Sequence, residues 1–589
     1  MRYNSPDDVE LPDPYGVEDN CLGYYVLKKN NEHFIELCNF VPYISSQVSS
    51  YNGYETNTKV KIEGFDSKGN PLPEIFVTND EFDKLNWVRQ HWGFNCNIVP
   101  GNGIRDRIRF AIQATSKYAP KTEDYSTTGW HKKDGQYIFL MPGDDANNVQ
   151  LDGKLQFYEF SRRELTGKEY ADIFMLIGNV APNEIMQPLL SFAFLSPLNS
   201  FMRKAQCEPK TVLLLHGKTG SKKSTLAALT CSFFGRFSNT DLPLSFRDTA
   251  NSLIYNTGSL KDVLTVIDDF HPSQKSDEYT MTGTMQILLR AYGNRCGRQR
   301  LTSKSLPMQT RYPKGNAIIT AEFLPDVGES GTARYIPLEI TPSSIDNEML
   351  TYYQRYASDG TLSACMFNYT EWLKEKYLND ENEFVKMLGD KFINTRKSLN
   401  KLLTEKGLHI RDRLIDDLVS MYLGYDFMLD FFIDKKACDK ESKGNFMGMF
   451  IDILLTIAVK REAQTTVDQP SHKFIFKLIA MLESERVNLR KKDTMFDDYT
   501  PVNCIGYEDE EYYYLHSALA QKEVRRFCNE QGESFSISEK ALLKALDSEQ
   551  LLVKSNDGKN TVQHNFGGRN RRYLVIPKKK AREIYDEAN

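Results

Sequence analysis

The sequence predicts a multidomain α/β protein with a parallel-sheet, phosphate-binding domain at its centre. Three observations predict it. An apolar run at 212–215 enters a turn with two glycines, then a helical pattern through Leu226, Ala227, Leu229 and Phe233. A second apolar, β-branched run at 263–267 ends in Asp268-Asp269. The pattern outside this pair changes character, from strand-like alternation before it to helical periodicity after it, with helices and a hairpin at the end.

The turn reads Gly217-Lys218-Thr219-Gly220-Ser221-Lys222-Lys223-Ser224-Thr225. Strand, small-residue turn and helix in that order make a P-loop, with ATP and Mg²⁺ as the expected ligands. Small residues let backbone N–H groups approach phosphate oxygens. Lys223 is placed for the β- and γ-phosphates and Ser224 for Mg²⁺, and the helix N-terminus adds partial positive charge. The pattern G-x-x-x-x-G-K-[ST] has its second glycine where this chain has Lys222. That lysine must tolerate a backbone geometry glycine adopts more cheaply. It either adds a second cation near the phosphates or weakens turnover.

The acidic strand supplies the second piece. Asp268 is expected to support Mg²⁺, and Asp269 to orient or deprotonate the attacking water. A third strand, at 316–322, carries Thr320 as the candidate for touching the γ-phosphate or water, with Glu322 second and a solvent-facing strand end as the alternative. Arg334 precedes an alternating run at 335–340 and is placed like an arginine finger supplied by a neighbouring subunit. The alternative there is a surface arginine at a strand start.

Around this core the chain divides into 1–165, an α+β domain; 166–344, the P-loop domain; 345–499, a helical lid and helical region; and 500–589, a winged-helix-like domain. In the first, strand-like runs at 24–27, 34–37, 58–62 and 137–140 alternate with turns, and helices are expected at 81–92 and 105–115. No catalytic constellation stands out there, and Gly129-Trp130 reads as a packed turn. In the third, Leu414, Ile415, Leu418, Met421 and Tyr422 form an amphipathic pattern. Arg411 and Arg413 near its start are candidates for a lid arginine reaching the γ-phosphate, against a plain solvated helix terminus. In the last, a helix at 536–546 led by Ser538 precedes a strand start at 551–553, a turn at Asn556-Asp557-Gly558 and a hairpin through 572–576.

Composition excludes several classes. Hydrophobic residues make up 40% and charged residues 26% of 589 residues, as in ordinary globular proteins. A net charge of −5 gives no bulk sign of nucleic-acid binding, so DNA contacts must come from local patches. The ten cysteines are scattered, with no C-x-x-C pair, which argues against a zinc site or disulfide framework and fits a cytoplasmic protein. The N-terminus is polar and acidic, unlike a signal peptide. The most apolar run, 446–459, is interrupted by Asp452, is too short to span a bilayer and reads as a buried helix; no membrane partner is expected.

Two basic patches offset the acidic total. Arg290, Arg295, Arg298, Arg300, Lys304, Arg311 and Lys314 lie between the acidic strand and the Thr320 strand with no acid interrupting them. Of these, Arg300, Lys304, Arg311 and Lys314 are the candidates for gripping a single strand. A solvated loop, or arginines serving a subunit interface, is the alternative. The second patch includes Arg571 and Arg572 on the expected wing, where contacts position DNA rather than read it.

With these residues in hand, the chain resembles AAA+ ATPases of the hexameric helicase type, and its Asp268-Asp269 pair is similar to that of superfamily III viral helicases. More specifically it resembles phage and mobile-element helicases with an N-terminal domain of unknown function, including the staphylococcal cassette chromosome (Cch-type, MCM-like) helicases. Thr128-Gly129-Trp130 with the run at 137–142, the Ala193-Phe194-Leu195-Ser196-Pro197-Leu198 helix, and the stretch at 505–515 carry the likeness outside the P-loop. The resemblance implies an ATP-driven DNA helicase, a homo-oligomer and in that family's pattern a hexamer, acting with replication proteins of the same element. Two other readings are open. One is an ATP-switched DNA-binding initiator or loader without robust unwinding, which Lys222 favours. The other is a primase-helicase fusion, for which the first domain lacks a convincing carboxylate set.

Overall fold

The computed structural model describes residues 3–29, 31–272, 275–297, 310–492, 502–531, 533, 535, 537–566 and 569–588. The chain forms two compact units. One comprises 1–160, 255–263 and 298–314, and the other comprises the rest. The first boundary falls five residues before the expected one. The second unit joins what the sequence divides into three.

The first unit is α+β. Strands Tyr15–Glu18, Cys21–Lys28 and Asn31–Cys38 form an antiparallel sheet. A five-stranded sheet runs in the order Asn148–Val149, Lys121–Tyr125, Val41–Tyr51, Thr56–Phe65, Pro71–Thr78. Helix Ile104–Ala114 buries Ile108, Ala111 and Ile112 against Ile62, Ile75, Val77 and Trp87. The helix expected at 81–92 is shorter, Asn79–Lys84. Leu85 at its end takes a left-handed conformation (φ 51°), and a separate turn of π-helix follows at Val88–Trp92. Gly129 packs as expected. A Cβ there would lie 2.5 Å from the Lys261 carbonyl oxygen, and the Trp130 N–H donates to the buried Asp262 carboxylate at 3.1 Å.

The second unit is built on a five-stranded sheet, all parallel, in the order Leu244–Ser245, Leu264–Phe270, Asn316–Ala321, Val212–His216, Tyr335–Glu339. The apolar runs sit where both faces are covered: Val212 to Leu215, Leu264 to Ile267 and Ala317 to Ile319 are buried. The helices that follow are Asn347–Ser358, Thr361–Tyr377, Glu381–Glu405, Asp412–Asp434 and Lys440–Val467. The pattern expected to be amphipathic in Asp412–Asp434 is instead buried almost all round from Asp417 to Phe432. Gly424 explains how: a Cβ there would come within 2.4 Å of the Ser191 carbonyl oxygen, so this helix and Asn183–Leu195 meet backbone to backbone.

The apolar run at 446–459 lies within Lys440–Val467, longer than expected. Among the described residues this helix alone is long and apolar enough to cross a bilayer by length and composition. Phe450, Leu454 and Ala458 are fully buried in the fold. At the C-terminal end, strands Asn488–Lys491, Cys504–Glu508, Tyr512–Leu515, Arg569–Pro577 and Val562–Phe566 form one sheet in that order. Helices Ser517–Glu530 and Glu539–Ser548 precede the Val562–Phe566 hairpin, and Ser538 caps the second by accepting from the Ala541 N–H at 3.3 Å. Pro470–Glu483 joins this core, with Phe474 and Leu478 packed among Val524, Leu546 and Ile576, so it begins some thirty residues earlier than the sequence division at 500.

Candidate active site

The turn between strand Val212–His216 and helix Lys223–Cys231 lies at the C-terminal edge of the parallel sheet. Gly217 is required by close approach, since a Cβ would sit 2.0 Å from the Ile340 carbonyl oxygen. Gly220 has φ +84°. Lys222 takes the left-handed conformation (φ 63°, ψ 26°), the geometry glycine adopts without cost and an L-residue at about 1–2 kcal/mol. Its Nζ is held by Asn347 Oδ1 at the start of helix Asn347–Ser358. Lys223 Nζ donates to the carbonyls of Gly217 (2.7 Å) and Lys218 (3.0 Å). Burial lowers the Lys223 pKa, and Glu322, Asp268 and Asp269 oppose that shift. The ammonium is thus folded back over the turn onto its carbonyl oxygens.

The acidic strand meets this turn directly. Asp268 Oδ1 accepts from Ser224 Oγ at 2.7 Å and from Thr320 Oγ1 at 2.6 Å. The Thr320 hydroxyl also accepts from the Asp269 N–H at 3.0 Å. Thr320 is buried, so its single hydroxyl fixes both acids. Asp269 has φ 69°, and the strand register slips between Ile267 and Phe270, which turns its carboxylate out of the sheet. Its Oδ2 lies 3.6 Å from Arg247 Nη2. Glu322 bridges Thr219 of the turn and His271, whose Nδ1 is 2.7 Å from the carboxylate. Thr219, Gly220, Lys222, Lys223, Ser224, Thr225, Asp269, Thr320 and Glu322 line one cavity of about 350 Å³. Arg247 and His271 are contacts the sequence reading missed, because only the fold brings them to these acids.

The donor set suits Mg²⁺. A hydroxyl and a carboxylate converge, both hard oxygen ligands, and Mg²⁺ bound with nucleotide takes its remaining ligands from phosphates and water. Among the described residues no cluster of three or more His, Cys, Asp or Glu side chains could hold a metal alone.

Arg334 lies elsewhere. Tyr335 pairs with Val212 and Glu339 with His216, so Arg334 stands at the N-terminal edge of the sheet while the turn follows its C-terminal edge. Five residues at about 3.3 Å each put roughly 16 Å between the two ends. Arg334 donates to Ser330 and to Asn294 Oδ1 (3.2 Å). The lid expectation for Arg411 and Arg413 is not met. Arg411 pairs with Glu329 (3.1 Å) and Glu462 (3.3 Å). Arg413 donates to the carbonyls of Lys210 and Gly293, both at 2.9 Å, beside Arg334.

The basic run splits. Arg298, Arg300 and Lys304 lie outside the described residues. Lys314 is buried in the first unit, its Nζ 3.3 Å from the Tyr54 ring centroid and bonded to the Gly53 carbonyl. Arg311 lies over Tyr255 at 3.9 Å. Both cations are engaged within their own unit, Arg311 also donating to Ser259 Oγ at 3.3 Å. Arg295 is buried and donates to the Pro209 and Gly315 carbonyls. In the C-terminal hairpin Arg572 braces the preceding loop through Thr561 (2.9 Å) and Ser555 (3.2 Å), while Arg571 is exposed.

No protein-family model matches the chain, and no curated protein does. Among solved structures, one described as "SCCmec type IV Cch - active helicase" is similar, with a TM-score of 0.57 at 13% identity over 97% of this chain and 99% of that one. A structure of JCV helicase covers 40% of this chain and 72% of its own at 14% identity, with a TM-score of 0.19. The parallel sheet, its edge-placed turn and acids, and the C-terminal mixed sheet thus belong to a multidomain α/β architecture. Over nearly its whole length, this chain has the fold of a Cch-type helicase of an SCCmec element.

Proposed function

We propose that the chain is an ATP-dependent DNA helicase of a mobile genetic element, a ring-forming AAA+ motor. The observation that carries this is Asp268 bonded at once to Ser224 and Thr320 beside the Lys223 turn. That constellation binds, orients and activates. The turn's N–H groups and Lys223 take the phosphates. Ser224 and Asp268 would hold Mg²⁺, which when bound neutralises charge on the phosphates. Asp269, released from Arg247, orients the attacking water and accepts its proton. Thr320 keeps the two acids in register. Arg334, too far from its own turn, serves the site of the next subunit. The C-terminal helix–helix–hairpin order is read as a winged helix, with Arg571 on the DNA backbone, and Arg300 and Lys304 remain candidates for the strand in the pore.

ATPase and strand-displacement assays test this. Wild type is expected to hydrolyse ATP faster with single-stranded DNA and to separate a forked duplex, and Lys223→Ala to do neither. Equal activities in the two proteins would sink the proposal. Lys222 favours a second reading, an ATP-switched initiator or loader. Its left-handed backbone and its bond to Asn347 tie the turn to the start of helix Asn347–Ser358. Nucleotide-dependent DNA binding with negligible turnover would select that reading.

A further inference from the structure

We propose that one flank of helix Ile104–Ala114, together with Tyr15 and Tyr24 of the strands beside it, is a platform for single-stranded nucleic acid. The platform lies wholly in the first unit. It goes beyond the helicase reading, which gives this helix no role.

In a chain of net charge −5, the stretch 85–121 carries six arginines and lysines against one acid, Asp106. Arg109 takes that acid and also lies 3.8 Å from Asp83. Arg89, Arg105 and Arg107 are exposed, and none pairs with a carboxylate among the described residues. Helical spacing sorts the side chains. Ile108, Ala111 and Ile112 face the core, while Arg107 and Phe110, one turn apart, share a flank. Arg107 lies over the Tyr24 ring at 4.3 Å, Tyr24 is 6.4 Å from Tyr15, and Tyr15 is 5.7 Å from Phe110. One guanidinium and three rings thus form an unbroken strip. Tyr15 and Tyr24 are partly buried against the core, which fixes them, whereas Phe110 is 57% exposed. The same pairing recurs at Arg89, which lies 5.8 Å from the centre of the Phe94 ring, itself 80% exposed.

A lone exposed ring needs no explanation. Exposed rings interleaved with guanidiniums that lack a counter-charge match one ligand chemistry. Unpaired bases offer flat apolar faces for the rings, and the strand's phosphates supply the charge that the arginines lack. Guanidinium planes also stack on bases directly. A duplex hides its base faces inside the stack, so Phe110 selects a single strand. An apolar protein surface docked here would bury Arg105 and Arg107 without an anion, which is costly.

Fluorescence anisotropy with the full-length chain, no nucleotide and an oligothymidylate of about 16 nucleotides tests this. Phe110→Ala is expected to weaken binding at least about 5-fold, the lower bound for one stacked base, and Phe110→Tyr to keep it within a few-fold. Arg105→Ala combined with Arg107→Ala should reduce the slope of log affinity against log salt by about 1.4, at about 0.7 per phosphate contact on a single strand. Photocrosslinking of a bromouracil-substituted strand to wild type should mark Tyr15, Tyr24 or Phe110, and it locates the contact even if a variant fails to fold. Wild-type affinity and slope in both variants, or crosslinks confined to other residues, would overturn the proposal. So would equal weakening of duplex binding by Phe110→Ala, since paired bases cannot stack on that ring. With no nucleotide present, such a failure leaves the helicase reading standing, and a wild type without ATPase leaves the platform standing.

Discussion

Replacing Thr320 by valine removes one hydroxyl and almost no volume. The structure gives that hydroxyl two jobs: it donates to Asp268 Oδ1 at 2.6 Å and accepts from the Asp269 N–H at 3.0 Å. A hydrogen bond to a charged group is worth about 1.5–3 kcal/mol, and a buried N–H left without a partner costs about 1–3 kcal/mol. Lost from the transition state, the first term alone lowers kcat/KM roughly 10- to 150-fold at 1.4 kcal/mol per tenfold. The loss should fall on kcat, because Thr320 positions the acids and not the base or sugar. Steady-state ATPase kinetics with excess Mg²⁺ read this out, with calorimetry to show that ATP affinity is kept. Thr320→Ser should retain activity within a few-fold. Wild-type kcat/KM in Thr320→Val would refute the argument that this hydroxyl holds Asp268 and Asp269 in register.

Asp269→Asn should abolish turnover while preserving nucleotide binding, which trapping of ATP on the variant would register. Lys222→Gly removes the left-handed strain and should raise the unfolding midpoint of the second unit by the equivalent of about 1 kcal/mol, less the bond to Asn347; a lowered midpoint would show that the bond outweighs the strain. Asp417 has a folded-state pKa of about 7, above its unfolded value, so its contribution to stability is greatest below the unfolded value and is lost as pH rises towards 7. Asp417→Asn should therefore gain stability relative to wild type more at pH 8 than at pH 5 in denaturant titrations, and an equal difference at both pH values would contradict the assignment.

Three strands of the parallel sheet are legible because each is an apolar run buried on both faces and ended by polar residues, whereas the two-residue strand Leu244–Ser245 gives no such signal. Val212–His216, Leu264–Phe270 and Asn316–Ala321 fall within a residue or two of the expected runs. The proximity of Lys223, Ser224, Asp268 and Thr320 followed from placing those runs side by side. What was not legible depends on contacts between distant residues. Arg247 meets Asp269, and His271 and Thr219 meet Glu322, through loops whose paths no periodicity encodes. Tyr54, more than 250 residues away, takes Lys314 out of the basic run. Arg413 donates to the Gly293 carbonyl, a placement the amphipathic pattern of its helix does not specify. The lysine in the turn was visible as an anomaly, and only the backbone reveals that it occupies the left-handed geometry.

Titration calorimetry of Mg-ATP into wild type and Lys223→Ala shows whether this turn takes a nucleotide triphosphate. Saturable binding to wild type is expected, weakened at least about tenfold in the variant, as loss of a desolvated charge-assisted contact requires. No heat of binding in folded wild-type protein, or equal affinity in both, would contradict it.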